Sequence, residues 1–119
     1  MEMRAVDVAQ PDVCYLGSIC RNLNVVEMAR KAGPPITPHA ANLSMVTNFT
    51  LHLLGAIPNA GPYLEFSIEG EDYYPWQAGL FKQDIVAKDG HVQIPEGPGW
   101  GIDINPKWLE SAIYQKSEL

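Results

Sequence analysis

The spacing of apolar residues changes in a regular way along the first half of the chain. Valines alternate with polar residues within residues 5–11, which predicts a short strand. From Ile19 onwards the apolar residues recur every three or four positions, which predicts an amphipathic helix that begins after Ser18 and ends at Gly33. The same period returns over residues 42–56 and predicts a second helix.

Two further short stretches, residues 36–38 and 63–66, predict the second and third strands. The order strand, helix, strand, helix, strand with short connections is typical of a parallel βαβαβ unit. We therefore predict an α/β fold for residues 1–67, with three neighbouring parallel strands and two helices packed against them.

The periodic pattern stops in the second half of the chain. Residues 68–81 are acidic and aromatic and follow neither period, so we expect a structured loop there. The Asp-Gly pair at 89–90 lies between apolar stretches and predicts a β-hairpin. The Asn-Pro pair at 105–106 predicts the start of a short terminal helix. Residues 68–119 are thus predicted to be an extension that contains a loop, a hairpin and a helix.

Composition and charge exclude several classes of function. The 119 residues suit one domain, and 46% hydrophobic with 18% charged residues is typical of a folded protein. A net charge of −6 without any basic run argues against nucleic acid as a partner. No apolar run is long enough for a membrane span and the N-terminus does not resemble a signal peptide, so we expect no membrane partner and a cytoplasmic location. Cys14 and Cys20 have neither a zinc nor a redox spacing, which predicts two free thiols.

Three residues that can transfer protons fall at the ends of predicted strands. Asp12 follows the first strand, His39 follows the second, and Glu65 lies near the end of the third. Reactive groups in parallel α/β folds gather at the carboxyl ends of strands, so this coincidence favours a shared site. Each residue also has a structural explanation: an Asp that caps a turn, a His that is hydrogen-bonded in the core, and a Glu that faces solvent.

The other candidate ligands do not form a pattern. His52 and His91 have no metal-ligand spacing with His39, so we expect both to be structural or exposed. Carboxylates cluster within residues 69–72, at Glu69, Glu71 and Asp72. A run of carboxylates is usually solvated, whereas Mg²⁺ needs oxygens that converge, so we expect no metal site in this loop.

The motifs VDVAQPD, ITPH, YLEF and DGHVQIPEGPGWGIDINP occur in this order with helices between them. They resemble the C-terminal barrel part of the enolase superfamily, in particular the mandelate racemase and muconate lactonizing enzyme family and its acid-sugar dehydratase branch. The resemblance extends from about residue 5 to residue 109. One departure is visible, because members often have Gly-Gly after the first strand whereas this chain has Gly17 followed by Ser18.

This resemblance implies a fold and a chemistry. The chain would form the last strands and helices of a modified (β/α) TIM-type barrel, followed by a C-terminal β-hairpin and short helix. Asp12 would orient the imidazole of His39, which would transfer the proton next to a substrate carboxylate, and Glu65 would hydrogen-bond that carboxylate. The implied reaction passes through an enolate and depends on Mg²⁺. Dehydration of an acid sugar or another hydroxy-carboxylate is favoured over racemisation or epimerisation.

The resemblance also implies that much of the enzyme lies outside this chain. Family members hold Mg²⁺ on earlier barrel strands and add an N-terminal capping domain, and a whole barrel needs about 250 residues. We therefore expect an incomplete barrel that lacks the first five strands, has no metal ligand of its own and is inactive alone. Such a chain would form a homo-oligomer or join a complementing N-terminal part. The alternative is a non-catalytic βαβ domain that oligomerises or docks onto a partner with the missing strands.

Overall fold

The structure is a computed structural model that describes residues 5–69 and 72–118 of the chain. Within these residues three extended segments are joined by parallel bridges, and three helices and a two-stranded antiparallel sheet complete the fold. No helix in the described part is both long and apolar enough to cross a membrane. The helices are α1 (Ile19–Ala32), α2 (Met45–Ala56) and α3 (Pro106–Ser111), and the strands are β1 (Ala87–Lys88) and β2 (His91–Val92).

Helix α1 begins and ends where its sequence predicts. The Ser18 side chain accepts a hydrogen bond from the N–H of Arg21, which satisfies one of the free donors of the first turn. Gly33 ends the helix with a φ of 103°, a left-handed conformation that glycine adopts without strain. Cys14 and Cys20 lie on either side of this N-terminus as exposed free thiols, as predicted.

Helix α2 differs from its prediction in its start and in its buried face. It begins at Met45 rather than Asn42, because Ser44 is the residue whose side chain caps it. The expected stripe was apolar, yet three of the side chains that α2 buries completely are polar: Thr47, Asn48 and Thr50. Their burial requires partners elsewhere in the chain, which the helical period cannot reveal.

The three extended segments pair in parallel, which confirms the predicted strand order. Ile36 lies in the middle, bridged to Ala9 on one side and to Ala60 on the other. The N–H of Ala9 donates to the Pro35 carbonyl at 3.0 Å, and the N–H of Thr37 donates to the Ala9 carbonyl at 2.9 Å. Ile36 is fully buried at the centre of this ladder.

The ladder is shorter than the sequence predicts, and its third segment is in a different place. Pairing occurs at Ala60, so the prediction of a strand at 63–66 is wrong. Gly61 donates its N–H to the Ile36 carbonyl at 2.6 Å, and Pro62 then has no N–H to continue the ladder. A Cβ at Gly61 would lie 3.2 Å from that carbonyl oxygen, so glycine permits the close approach. The residue types favour a strand at 63–66, but the hydrogen bond from Gly61 to the Ile36 carbonyl decides which residues of the third segment pair with the second.

Two helices cover the ladder and form one core with it. Helix α1 contributes Val26 and Ala29, and α2 contributes Leu53. Polar residues also join the helices to the ladder, since the side-chain amide of Asn59 donates to the Val26 carbonyl at 3.2 Å. The buried apolar residues of this core are Val13, Val26, Ala29, Ile36, Leu53 and Ile57.

The hairpin and the terminal helix form where their local signals predict. Asp89 and Gly90 join β1 to β2 with φ values of 51° and 75°, the two positive values that a tight hairpin turn requires. Asn105 caps α3 by accepting from the N–H of Lys107, and Pro106 occupies the first helical position.

Trp100 anchors the C-terminal extension to α2. Its carbonyl accepts from the Asn48 side chain at 3.1 Å and from Nε2 of His52 at 3.0 Å. Its ring packs against Phe49 with the ring centroids 4.7 Å apart. His52 therefore makes a structural contact, one of the two alternatives that the sequence predicts for it. The division of the chain at residue 67 stays a prediction.

We expect Gly101→Ala to lower the free energy of unfolding by about 2–4 kcal/mol, since the residue has a φ of 71° and a Cβ there would lie 2.6 Å from the Pro95 carbonyl carbon and oxygen. Gly99→Ala is the matched control, because Gly99 has a similar φ of 65° but no atom within 4 Å of the added Cβ. Gly99→Ala should lower the free energy of unfolding by about 1–2 kcal/mol, because it adds backbone strain without a clash. Equal losses in urea unfolding would contradict the predicted clash.

Candidate active site

The parallel ladder brings Asp12 and His39 into contact. The N–H of His39 donates to the Pro11 carbonyl at 3.1 Å, so the residues that leave the first two segments lie side by side. In this position Nδ1 of His39 is 2.7 Å from Oδ2 of Asp12. The structure therefore joins these two candidate residues, and their catalytic roles stay predictions.

The Asp12 carboxylate is held by both of its oxygens. Oδ1 accepts from the backbone N–H groups of Cys14 at 2.6 Å and Tyr15 at 2.7 Å, while Oδ2 faces His39. Burial alone would raise the pKa of Asp12. The hydrogen bonds from His39, Tyr15 and Cys14 and the charge of His39 together outweigh burial, so the pKa lies below its ordinary value of 3.8.

The ionised Asp12 fixes the tautomer of His39. A carboxylate without a proton can only accept hydrogen bonds, so Nδ1 of His39 must carry the hydrogen of this contact. Nε2 is then the nitrogen that can take or give a proton. The side chain of His39 is 35% exposed, so its imidazole is open to a ligand.

Glu65 lies on the other side of the imidazole. Its Oε2 is 3.7 Å from Nε2 of His39 and accepts from the backbone N–H of Ala40 at 3.2 Å. The residue is on the extended segment beyond the ladder, and its side chain is 44% exposed. All three candidates thus lie at one edge of the fold. Glu65 accepts a hydrogen bond here, from Ala40, whereas the resemblance implies that Glu65 donates one to a substrate carboxylate.

Asn22 supports the Asp12 turn and was not singled out from the sequence. It is fully buried, and its side-chain amide donates to the Ser18 carbonyl at 2.9 Å and the Asp12 carbonyl at 3.4 Å. These two contacts join the first turn of α1 to the loop that carries Asp12. The available signal was a polar residue on the inner face of an otherwise apolar helix.

Tyr15 was also not singled out from the sequence. Its ring stacks on the imidazole of His39, with centroids 6.0 Å apart and planes inclined by 23°. Since 87% of Tyr15 is exposed, the opposite face of its ring borders the same open edge. The backbone N–H of Tyr15, which donates to Oδ1 of Asp12, places the ring there.

The described residues do not fit a metal ion. Within 5–69 and 72–118 no three His, Cys, Asp or Glu side chains converge as ligands. Asp12 is committed to His39 and two backbone amides, whereas Mg²⁺ needs several converging oxygens. In the acidic loop Glu69 accepts from the Ser67 hydroxyl, and Glu71 lies outside the described residues.

Comparison with known proteins identifies the family. The family model described as "Enolase C-terminal domain-like" matches residues 1–108. The chain belongs to this family. The predicted resemblance to the enolase superfamily and its mandelate racemase-like branch is confirmed, as is the predicted fold class of a partial α/β barrel.

Several similar proteins are named as dehydratases or as a racemase, the two kinds of enzyme that the resemblance implies. Arabinonate dehydratase of Saccharolobus solfataricus is 33% identical over 106 residues, which cover 87% of this chain and 26% of the relative. A Roseobacter denitrificans crystal structure, provisionally assigned as a racemase, is 63% identical with a TM-score of 0.90 and covers 99% of this chain and 32% of its own. L-Talarate dehydratase from Polaromonas sp. JS666, complexed with Mg and L-glucarate, is 29% identical with a TM-score of 0.67 over 92% of this chain and 27% of its own. The chain spans about a quarter to a third of these proteins.

Proposed function

We propose that this chain carries the proton-transfer part of an enzyme that removes the proton next to the carboxylate of a hydroxy acid. The observation that supports this proposal most directly is the 2.7 Å contact between Nδ1 of His39 and the ionised Asp12. It leaves Nε2 as the nitrogen that exchanges a proton, at an edge where His39 is exposed.

The proposed roles follow from the contacts of each residue. Nε2 of His39 takes the proton from the carbon beside the carboxylate, which leaves an enolate, or it gives a proton to the hydroxyl that departs as water. Asp12 keeps the hydrogen on Nδ1 and stabilises the imidazolium that forms. Glu65, whose Oε2 is 3.7 Å from Nε2 of His39, would donate a hydrogen bond to the carboxylate of the ligand when it carries a proton.

We favour dehydration of an acid sugar as the overall reaction. Racemisation begins with the same proton abstraction, so the arrangement of Asp12 and His39 serves both, and the dehydratase names among the relatives support the choice. In the complete protein Mg²⁺ would be held by strands outside the described residues, and it would supply positive charge beside the substrate carboxylate. Residues 1–67 would complete a barrel with five further strands, and residues 68–119 would form its C-terminal extension.

The test follows the α-hydrogen of the substrate. The complete protein, in which this chain is joined to the remaining barrel strands, is given acid sugars that carry deuterium at the carbon beside the carboxylate. We expect turnover to slow with a primary isotope effect and the deuterium to pass into water. A product that keeps the whole label would contradict proton abstraction at this carbon.

A second function is favoured by exposed apolar residues near the ladder. Val6 is 53% exposed and Val8 is 44% exposed on the segment that pairs at Ala9, and Tyr63 and Ile68 are 78% and 90% exposed beyond the third segment. Such a surface is typical of a chain that associates with a copy of itself or with a partner. A stable homo-oligomer in light scattering, with no isotope transfer from any acid sugar in the complete protein, would favour this non-catalytic role.

A further inference from the structure

Asn22 occupies a buried position that an apolar residue could fill. It is the fourth residue of α1 and is fully buried, and its Oδ1 has no hydrogen-bond partner within the described part of the chain. A buried polar group lowers stability unless its hydrogen bonds are made. Helix α1 does not need this side chain, because the Ser18 carbonyl already accepts from the backbone N–H of Asn22 at 3.2 Å. The role of the side chain therefore lies outside α1.

The side-chain nitrogen of Asn22 joins α1 to the turn that carries Asp12. It donates to the Ser18 carbonyl at 2.9 Å and to the Asp12 carbonyl at 3.4 Å. Both neighbours are acceptors, so only the nitrogen end of the amide can face them. The Asp12 carbonyl also accepts from the backbone N–H of Leu16 at 3.0 Å, a bond within the turn itself. The ladder holds one end of the turn at Pro11, and Asn22 holds the turn against α1.

We propose that Asn22 is a positioning residue, which holds the turn in the place where the Asp12 carboxylate meets Nδ1 of His39. The bonds from the N–H groups of Cys14 and Tyr15 to Oδ1 of Asp12 lie within the turn and move with it. Without Asn22 the turn would keep its shape but could shift as a unit. A shift of a fraction of an ångström would weaken the 2.7 Å contact with His39. The proposal deepens the proposed function and rests on it for the use made of this contact.

Asn48 has the same place in α2 and provides a matched control. Ser44 caps α2 as Ser18 caps α1, and Asn48 is again the fourth helical residue and fully buried. Its Oδ1 also has no partner among the residues that the structure describes. Its amide donates at 3.1 Å to the Trp100 carbonyl, away from the candidate site. The two asparagines thus differ in the loop that each one holds, and of the two Asn22 alone contacts the turn of Asp12.

The experiment replaces each asparagine by Leu, which has a similar shape and no hydrogen-bonding group. In Asn22→Leu the carbonyls of Ser18 and Asp12 both keep a backbone donor, so the urea midpoint of unfolding should stay close to that of the unaltered chain. Long-range ¹H–¹⁵N NMR of the 119-residue chain at about pH 9, where imidazoles are neutral, reports the tautomer of His39. The fraction with its hydrogen on Nε2 should rise about three- to tenfold, the usual effect of one lost hydrogen bond. Asn48→Leu should leave this fraction unchanged.

The tautomer decides whether Asn22 has this role. A tautomer of His39 that is unchanged in Asn22→Leu, or that changes equally in Asn48→Leu, would overturn the proposal. The amide signal of Ile36, at the centre of the ladder, reports whether each variant is folded, and Asn22→Ala serves if the leucine variant is not. The measurement needs no substrate, so a failure of the proposed function would leave its result standing. A negative result would in turn leave the isotope test of the proposed function unaffected.

Discussion

Replacing His39 by Asn in the complete enzyme is expected to lower turnover by about 10²–10⁴-fold, the usual worth of a general acid–base group. Asn is polar, and its side-chain amide can still donate to Asp12, so the turn should keep its shape. It has no nitrogen that takes up and releases a proton near neutral pH, so the chemical step alone is removed. Steady-state kinetics should show a fall in kcat with little change in KM.

His52→Asn is the matched control for this prediction. His52 lies on α2, and its Nε2 bonds to the Trp100 carbonyl, away from the Asp12 and His39 pair. The substitution removes an imidazole from the same chain without touching the candidate site, so turnover should stay close to that of the unaltered enzyme. If His39→Asn turned over substrate equally well, His39 would be structural and the proposed chemistry would fail.

The parts of the fold that could be predicted are those fixed by neighbouring residues. Ser18 and Gly33 set the ends of α1 through contacts within a few residues, and an Asn-Pro pair starts α3 in the same way. The turn at Asp89 is set by the backbone freedom of one dipeptide. Such signals do not depend on the rest of the fold, so the sequence alone reveals them.

Features that depend on distant partners could not be predicted. The third segment pairs at Ala60 because Gly61 can approach the Ile36 carbonyl, a contact invisible until the segments are placed together. The polar face of α2 was missed for the same reason. Asn48 is buried because it bonds to the carbonyl of Trp100, far away in the chain.

The candidate site was predictable in its members but not in its details. Strand order placed Asp12, His39 and Glu65 at one edge, and a fold-level rule was enough for this. Asn22 and Tyr15 join the site through the backbone of the turn that carries Asp12. The polar side chain of Asn22 on the inner face of α1 was the one signal of this, and nothing in the sequence points to Tyr15. Glu65 accepts a hydrogen bond from the backbone N–H of Ala40, and this contact also depends on how the segments are paired.

Asp12→Asn is expected to lower turnover by about 10²–10⁴-fold by changing the tautomer of His39. The side-chain oxygen of Asn can still accept from the backbone N–H groups of Cys14 and Tyr15, as Oδ1 of Asp12 does, so the turn should keep its conformation. Its amide nitrogen then faces Nδ1 of His39, and because both are donors the imidazole hydrogen must move to Nε2. The nitrogen that faces the ligand thereby loses its free electron pair. Long-range ¹H–¹⁵N NMR should show this change of tautomer directly.

Asp7→Asn is the control for this substitution, because Asp7 is an exposed carboxylate on the same segment. It should leave both the tautomer and the turnover unchanged. A low turnover of Asp12→Asn without a change of tautomer would contradict the explanation, since the loss would then come from a disturbed turn.

The same variant should also change how stability depends on pH. The pKa of Asp12 is lower in the folded chain than its ordinary value of 3.8, so the folded state binds its proton less readily than the unfolded state. The resulting stabilisation is fully present above about pH 4 and is lost as the pH falls through the lowered folded pKa. Asp12→Asn has no carboxyl to protonate, so its free energy of unfolding should fall less than that of the unaltered chain over this range.

Glu27 also loses a stabilising contact in acid, to the same extent in both chains, and added salt weakens that contact. The hydrogen bond from Arg30 lowers the pKa of Glu27 to about 2, so this pair also weakens in acid. Both side chains are about half exposed, so their attraction is screened by salt, whereas the buried contacts of Asp12 are screened much less. In high salt the unaltered chain should therefore still lose more stability in acid than Asp12→Asn. Parallel unfolding curves for the two chains would mean that the hydrogen bonds of Asp12 do not stabilise its charged form.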